Sequence, residues 1–141
     1  MKRFGSATWS GSLRDGKGAV STESQAMKNH PYTFFGRYGE TPGTNPEELV
    51  GAAHAACFTM SFVRMLGMAH FVPQWVDSHS DVVIEKDGDS VAITSVHLTV
   101  TARIRGIDQD TFQSIAAKAK AGCPVSKLIK VKIGFEATLS P

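Results

Sequence analysis

The chain has 141 residues, of which 42% are apolar and 20% are charged, and its formal net charge at pH 7 is +2. This length suits one domain of a soluble globular protein, and a chain of this size often completes its core by dimerising. The small net charge and the lack of a basic run argue against nucleic acid as a partner. Residues 49–63, the longest weakly charged stretch, are too few to span a bilayer, and no apolar run follows the basic N-terminus as in a signal peptide. We therefore expect a cytoplasmic protein with no membrane association.

The N-terminal third predicts a hairpin followed by a long loop. Residues 7–13 and 18–22 are strand candidates, and Asp15–Gly16 between them favours a turn. Residues 23–44 show no hydrophobic period and are rich in Gly, Pro and Thr. Because loops of this length are uncommon inside a compact domain, we expect this one to be functional.

The clearest element is a helix that follows this loop. Asn45 is predicted to cap it, Pro46 takes the first helical position, and Glu48 completes a capping box. The helix is expected to end before Pro73, with Gly67 weakening its last turn. Spacings of three and four predict a central, largely buried helix running through Leu49, Ala53, Ala56, Cys57, Met60 and Val63.

Residues 74–104 predict a long antiparallel hairpin with its turn at Asp87–Gly88. In the second strand, apolar residues alternate in one phase up to Ile93 and in the other phase from Val96 onwards. Because a slip of one residue exchanges the two faces of a strand, we predict a bulge near residues 94–95.

The remaining chain predicts two helices and a strand. The first helix follows Asp108 as its cap and closes at Gly122, a short helix starts at Cys123–Pro124, and residues 130–139 form the last strand. The order β-β-α-β-β-α-α-β indicates a single α+β domain over residues 1–141, with helices packed on antiparallel sheet.

The two cysteines are the candidates for chemistry, because a pair in reducing cytosol is more often catalytic, redox-active or simply buried than a permanent disulfide. Cys123 precedes Pro124 at a predicted N-cap, where unpaired N–H groups and the helix dipole lower a thiol pKa. Alternatively, it merely ends a turn. Cys57 lies in mid-helix among Ala and Met, where burial raises a thiol pKa and leaves the residue inert unless a cation reaches it.

Arg37, in the loop before the central helix, is the natural source of that cation, because its planar fork can contact a thiolate and a substrate oxygen together. Arg64 lies two turns beyond Cys57, where a solvated or dimer-facing role suits it better. Glu47 is a plausible anchor for Arg37, although a carboxylate at a helix start is favourable in any case.

The histidines are not assigned to the chemistry. His54 lies one turn before Cys57, and we interpret it as a packed residue hydrogen-bonded to backbone rather than as a general base. The other histidines lack the spacing of metal ligands, so we expect no metal and no bound cofactor: His30, His70, His79 and His97.

Two segments contain the cysteines: residues 43–60, GTNPEELVGAAHAACFTM, and residues 119–126, AKAGCPVS. They resemble the central-helix motif and the second cysteine motif of the OsmC/Ohr family. Residues 16–24, GKGAVSTES, match the N-terminal hairpin of the OsmC branch. The match spans essentially the whole chain, and the residues next to both cysteines favour the OsmC branch over the organic hydroperoxide resistance branch.

The resemblance implies an OsmC-like fold, with antiparallel sheets packed around a long central helix, in an intertwined homodimer with active sites at the subunit interface. It also implies a thiol peroxidase for oxidative and osmotic stress defence, which prefers organic hydroperoxides to hydrogen peroxide. Cys57 matches the attacking cysteine, which becomes a sulfenic acid, and Cys123 matches the resolving cysteine, which forms a disulfide with it. Arg37 matches the residue that activates the thiolate, and Glu47 matches its salt-bridge partner. An external dithiol, including one of lipoyl type, would restore the reduced enzyme.

Two other classes of function remain open. A dimer that senses redox state or binds an apolar ligand, without turnover, could use the same cysteine pair. A scaffold protein could carry both cysteines as inert buried thiols. Turnover with a dithiol separates the enzyme from the sensor, and thiol reactivity separates both from the scaffold.

Overall fold

The computed structural model of the protein describes residues 1–39 and 42–141, so residues 40–41 of the predicted loop lie outside the described residues. The chain divides into an N-terminal unit, residues 1–49, and a C-terminal unit, residues 50–141. Each unit contains a three-stranded sheet. The elements form an α+β fold, which confirms the predicted fold class.

The N-terminal unit is an antiparallel sheet of strands β1 (Gly5–Ser10), β2 (Lys17–Thr22) and β3 (His30–Tyr32). The predicted hairpin is therefore confirmed, with a first strand that ends earlier than expected. The predicted loop over residues 23–44 is partly wrong, since it contains β3 and a 3-10 helix at Phe35–Tyr38. These elements are only three and four residues long, too short for a hydrophobic period to mark them.

The central helix, α1 (Pro46–Met68), begins where the sequence predicts. The Glu48 backbone N–H donates to Asn45 Oδ1 at 2.8 Å, which confirms Asn45 as the cap. The Glu48 carboxylate, however, accepts from the Thr44 hydroxyl at 2.8 Å. In the predicted capping box this carboxylate would accept from the backbone N–H of Asn45. Its partner is instead the hydroxyl of Thr44, one residue before the cap.

The buried face of α1 differs from the predicted one. The predicted face includes Met60 and Val63, which are 75% and 40% exposed. Apolar or small residues surround this helix, so spacings of three and four fit several faces, and the large phenylalanines gain most from burial. By length and composition α1 is also able to cross a membrane, but its apolar face packs into the core of the C-terminal unit. The residues buried on α1 are Gly51, His54, Phe58, Phe62 and Leu66.

The C-terminal unit continues with strands β4 (Pro73–Asp87) and β5 (Ser90–Ile104), helices α2 (Gln109–Gly122) and α3 (Pro124–Leu128), and strand β6 (Ile133–Leu139). Strands β4 and β5 form the predicted antiparallel hairpin. Strand β6, in contrast, pairs with β5 in parallel, so the expectation of a purely antiparallel sheet is wrong. The two helices between β5 and β6 form the crossover that a parallel pair requires.

The predicted bulge is present in β5. Val83 pairs with Ser95 and Ile84 pairs with Ile93, so Thr94 is the extra residue. The apolar residues beyond the bulge are buried, whereas Ile93 before it is 36% exposed. The bulge therefore turns the second half of β5 toward the core.

The core of the C-terminal unit joins α1 and α2 to the sheet. The ring of Phe62 meets that of Phe112 on α2 at 5.7 Å between centroids, and the ring of Phe58 meets that of Phe135 on β6 at 5.6 Å. The same cluster contains Cys123, which is fully buried where α2 passes into α3.

Candidate active site

The two cysteines lie side by side in the C-terminal unit, although 66 positions separate them in the sequence. Cys57 is partly buried on α1, Cys123 is buried between α2 and α3, and the two thiols share a hydrogen bond. Both are free thiols. Two thiols in contact are placed to form a disulfide once one of them is oxidised.

Cys123 caps helix α3, as the sequence predicts. Its Sγ accepts from the Ser126 backbone N–H at 3.5 Å, and Pro124 occupies the first helical position. Because α3 has only five residues, we expect local hydrogen bonds, rather than the dipole of a long helix, to stabilise a thiolate at Cys123.

The pKa values of the two thiols shift in opposite directions. Burial raises the pKa of Cys57, a hydrogen bond from the Val125 backbone offsets part of this, and the contact with Cys123 raises it further. Burial also acts to raise the pKa of Cys123, but hydrogen bonds from Ser126, Cys57 and the Val125 backbone outweigh it and lower the pKa. Within residues 50–141, all of them described, no cation is among the groups that shift the pKa of Cys57. In this unit Cys123 is thus the more acidic thiol.

His54, interpreted from the sequence as a packed residue with no part in the chemistry, lies in the same region. Its side chain is fully buried, with Nδ1 at 2.8 Å from Ser80 Oγ and Nε2 at 2.8 Å from Ser126 Oγ. The expected hydrogen bonds to backbone are therefore wrong, since the partners are two serine hydroxyls. Burial lowers the pKa of His54 and the charge of Lys120 lowers it further, so the imidazole is neutral at pH 7.

Arg37 and Glu47 meet in the N-terminal unit. Arg37 lies in the last turn of the 3-10 helix and Glu47 in the first turn of α1, and Arg37 Nη2 is 2.9 Å from Glu47 Oε1. Their side chains are 30% and 13% exposed, so this ion pair is shielded better than a surface pair. Among the described residues, Glu47 Oε2 is buried without a hydrogen-bond partner. The expected salt bridge is therefore present, and Arg37 is the group that compensates the negative charge of this largely buried carboxylate.

Arg37 also lines a cavity of about 310 Å³ in the N-terminal unit. Aromatic and aliphatic side chains form most of its wall, and Arg37 supplies its positive charge. A cavity of this kind suits a small molecule with an apolar body and a polar head. Its lining residues are Trp9, Leu13, Tyr32, Thr33, Phe34, Arg37 and Pro46.

The four residues predicted for the site thus form two pairs. Cys57 and Cys123 are in contact in the C-terminal unit, and Arg37 and Glu47 are in contact in the N-terminal unit. Arg64, the other arginine considered, is exposed on α1. Within residues 1–39 and 42–141, no three His, Cys, Asp or Glu side chains converge as the ligands of a metal ion do.

Comparison with known proteins supplies the family. A family model described as OsmC-like protein matches residues 39–137. Peroxiredoxin OsmC of Escherichia coli is 47% identical over 136 residues, which cover 96% of this chain and 95% of that protein.

Solved structures agree on the fold. An OsmC-like protein from Mycoplasma pneumoniae aligns with a TM-score of 0.80 at 11% identity, covering 100% of this chain and 99% of that one. An organic hydroperoxide resistance protein of Bacillus subtilis aligns with a TM-score of 0.68 at 18% identity, covering 97% and 98%. The chain therefore belongs to the OsmC/Ohr family of peroxidases, as its two cysteine motifs predicted.

Proposed function

We propose that the protein is a cytoplasmic two-cysteine peroxidase that reduces organic hydroperoxides and, more weakly, hydrogen peroxide, in defence against oxidative and osmotic stress. The observation that carries this proposal is the hydrogen bond between the thiols of Cys57 and Cys123, which lie in the two motifs shared with the family. The name peroxiredoxin, borne by a relative of 47% identity, supports the same reaction.

In the proposed cycle the Cys57 thiolate attacks one oxygen of the hydroperoxide. The O–O bond breaks, the alkoxide takes a proton and leaves as an alcohol, and Cys57 becomes a sulfenic acid. Cys123 then attacks the sulfenic sulfur, the S–S bond forms, and the hydroxyl leaves as water. An external dithiol, free or of lipoyl type, reduces this disulfide by exchange, so no bound cofactor is required.

The raised pKa of Cys57 makes a cation necessary for the first step. Burial disfavours its thiolate, and within residues 50–141 no positive group offsets this. We assign that task to Arg37, which Glu47 holds through the 2.9 Å ion pair. A guanidinium beside the thiolate lowers its pKa and stabilises the leaving oxygen. Arg37 acts in the same chain or in the partner chain of a homodimer, and in either arrangement residues 1–141 serve as a single functional domain.

The cavity beside Arg37 supports an organic substrate. Its wall is mainly aromatic and aliphatic, so an alkyl or aryl group gains free energy by leaving water, whereas hydrogen peroxide has no such group. The guanidinium of Arg37 supplies the positive charge of this wall and can donate hydrogen bonds to the peroxide oxygens.

Exposed apolar side chains support a homodimer. Met60 and Met68 on α1 are 75% and 68% exposed, and Trp75 on β4 is 42% exposed. Large apolar side chains that cluster on a surface commonly mark a site that a partner covers.

The test is the consumption of cumene hydroperoxide and of hydrogen peroxide with a dithiol reductant. Wild type should turn over both, faster with the organic substrate, and Cys57→Ser should be inactive. Circular dichroism and thermal unfolding that match wild type would show that inactive Cys57→Ser has lost its nucleophile rather than its fold. No turnover by folded wild type with any dithiol would refute the proposal and favour a redox sensor or a ligand-binding dimer.

A further inference from the structure

A chain of hydrogen bonds leads from strand β4 to the sulfur of Cys123. Ser80 Oγ lies 2.8 Å from His54 Nδ1, and His54 Nε2 lies 2.8 Å from Ser126 Oγ. Ser126 bonds to Cys123 through both its side chain and its backbone N–H. Ser80 on β4 and Ser126 on α3 thus hold the buried imidazole that α1 carries, and Ser126 links this imidazole to Cys123.

The direction of these bonds follows from the chemistry of their members. When Cys123 is a thiolate, it can only accept, so the Ser126 O–H donates to it and the Ser126 oxygen accepts from His54. His54 then carries its proton on Nε2, and the unprotonated Nδ1 accepts from the Ser80 O–H. A neutral imidazole has one donor and one acceptor, so this arrangement satisfies both ring nitrogens.

The opposite direction would make His54 a base that takes the proton of the Cys123 thiol. That arrangement creates an imidazolium in a fully buried position, facing the positive charge of Lys120 on α2. Burial and like charge both oppose it. The other titratable group at the sulfur is the Cys57 thiol on α1. Neutral His54 is therefore a donor, and the chain of hydrogen bonds stabilises the thiolate of Cys123.

We propose that His54 is a positioning residue for the resolving step: through Ser126 it holds Cys123 as the thiolate that attacks the Cys57 sulfenic acid. This inference rests on the two-cysteine cycle proposed above. In the step, the electron pair of the Cys123 sulfur forms the S–S bond, the S–O bond of Cys57 breaks, and the departing hydroxide takes a proton from solvent to become water. The thiol proton of Cys123 leaves earlier, past Ser126, which borders a cavity of about 470 Å³.

The first experiment measures the thiolate of Cys123 without any peroxide. In a Cys57→Ser background, Cys123 is the only cysteine of the sequence, so the ultraviolet absorbance of the thiolate against pH gives its ionisation directly. Ser126→Ala and His54→Gln should each move this ionisation to higher pH, because a donor to the thiolate is lost or displaced. Ser126→Thr, which keeps the hydroxyl, should restore most of the original curve.

The matched control is Ser78→Ala. Ser78 lies two residues before Ser80 on β4 and also bonds a side chain of α1, accepting from the Thr59 hydroxyl at 2.8 Å, but it has no bond to His54. Its titration curve should match that of the parent. Circular dichroism and thermal unfolding identify any variant that fails to fold. If Ser126→Ala fails to fold, His54→Gln still tests the inference, with Ser78→Ala as its control.

The second experiment resolves the two oxidation steps in the chain with both cysteines. One equivalent of cumene hydroperoxide is mixed rapidly with the protein, and quenched samples are analysed for sulfenic acid and disulfide by mass. Loss of one hydrogen bond to a charged group should slow disulfide formation in Ser126→Ala about tenfold more than sulfenic acid formation. The pH profile of the disulfide step should show one ionisation, that of Cys123.

The two proposals fail separately. If wild type forms no disulfide, the two-cysteine cycle is wrong, whatever the titration shows. If wild type forms the disulfide but Ser126→Ala and His54→Gln match Ser78→Ala in both experiments, the role of His54 is wrong and the cycle stands. A second ionisation in the pH profile of the disulfide step, present in wild type and lost in His54→Gln, would assign His54 the role of base instead and would also overturn the inference.

Discussion

Replacing Glu47 by Gln removes the negative charge that holds Arg37, with little change in shape. The ion pair is 2.9 Å long, and its two side chains are 30% and 13% exposed. Hydrogen bonds between charged groups contribute about 1.5–3 kcal/mol when shielded and about 0.2–1 kcal/mol when exposed. Since this pair is partly shielded, we expect a loss of about 1–2 kcal/mol in the free energy that holds Arg37 in place. That loss corresponds to a factor of about ten in the population of the correctly placed guanidinium.

The assay follows sulfenic acid formation in a Cys123→Ser background, where the first step is isolated. Glu47→Gln should slow this step about tenfold through the loss of Arg37 placement. The matched control is Glu23→Gln, which breaks a longer pair: Glu23 Oε2 is 3.4 Å from Arg3 Nη1, and the Arg3 side chain is 76% exposed. That control should react like the parent, because exposed pairs contribute little. If Glu47→Gln also reacts like the parent, Glu47 does not act through Arg37, and this reasoning is refuted.

Three further predictions concern stability, the fate of Cys57 and pH. Phe62→Ala removes a fully buried ring of the core, so the free energy of unfolding measured in urea should fall by about 3–5 kcal/mol, and a fall below 1 kcal/mol would show a loosely packed site. Cys123→Ser treated with one equivalent of hydroperoxide should gain one oxygen in its intact mass. Loss of two hydrogens would instead mean that the Cys57 sulfenic acid condenses with a group other than Cys123. The Thr111 hydroxyl and backbone N–H lower the pKa of Asp108, the cap of α2, so its contribution to stability is present above the usual Asp pKa and is lost as pH falls through the lowered one. Asp108→Asn should lack this part of the acid dependence, as measured by thermal unfolding against pH.

The features predicted well from the sequence are those set by residues close together in the chain. The bulge at Thr94 follows from a phase change between neighbouring apolar residues, and the caps Asn45, Asp108 and Cys123 follow from the residues next to them. In each case the signal and the structure occupy the same few positions.

The features missed depend on contacts between distant parts of the chain. The parallel pairing of β6 with β5 depends on where α2 and α3 return the chain, which no local pattern specifies. The helix α1 is apolar on most sides, so its buried face depends on packing: Phe58 packs against Phe135 of the sheet, and Phe62 packs against Phe112 of α2.

The candidate site shows the same division. The resemblance supplied its four residues, and the contacts within each pair agree with it, but the network around His54 was missed. A signal was available: His54 precedes Cys57 by three residues and Ser126 follows Cys123 by three, so each polar residue lies one helical turn from a cysteine. Only the packing of α1 against α3 shows that these two positions bond to each other.

The intact mass of wild type after one equivalent of cumene hydroperoxide, with Cys57→Ser as the parallel sample, decides whether the two-cysteine cycle operates. We predict a loss of two hydrogens in wild type, with Cys57 and Cys123 joined in the peptide map, and an unchanged mass in Cys57→Ser. A wild-type mass that is unchanged, or a disulfide that excludes Cys57 or Cys123, would refute the cycle.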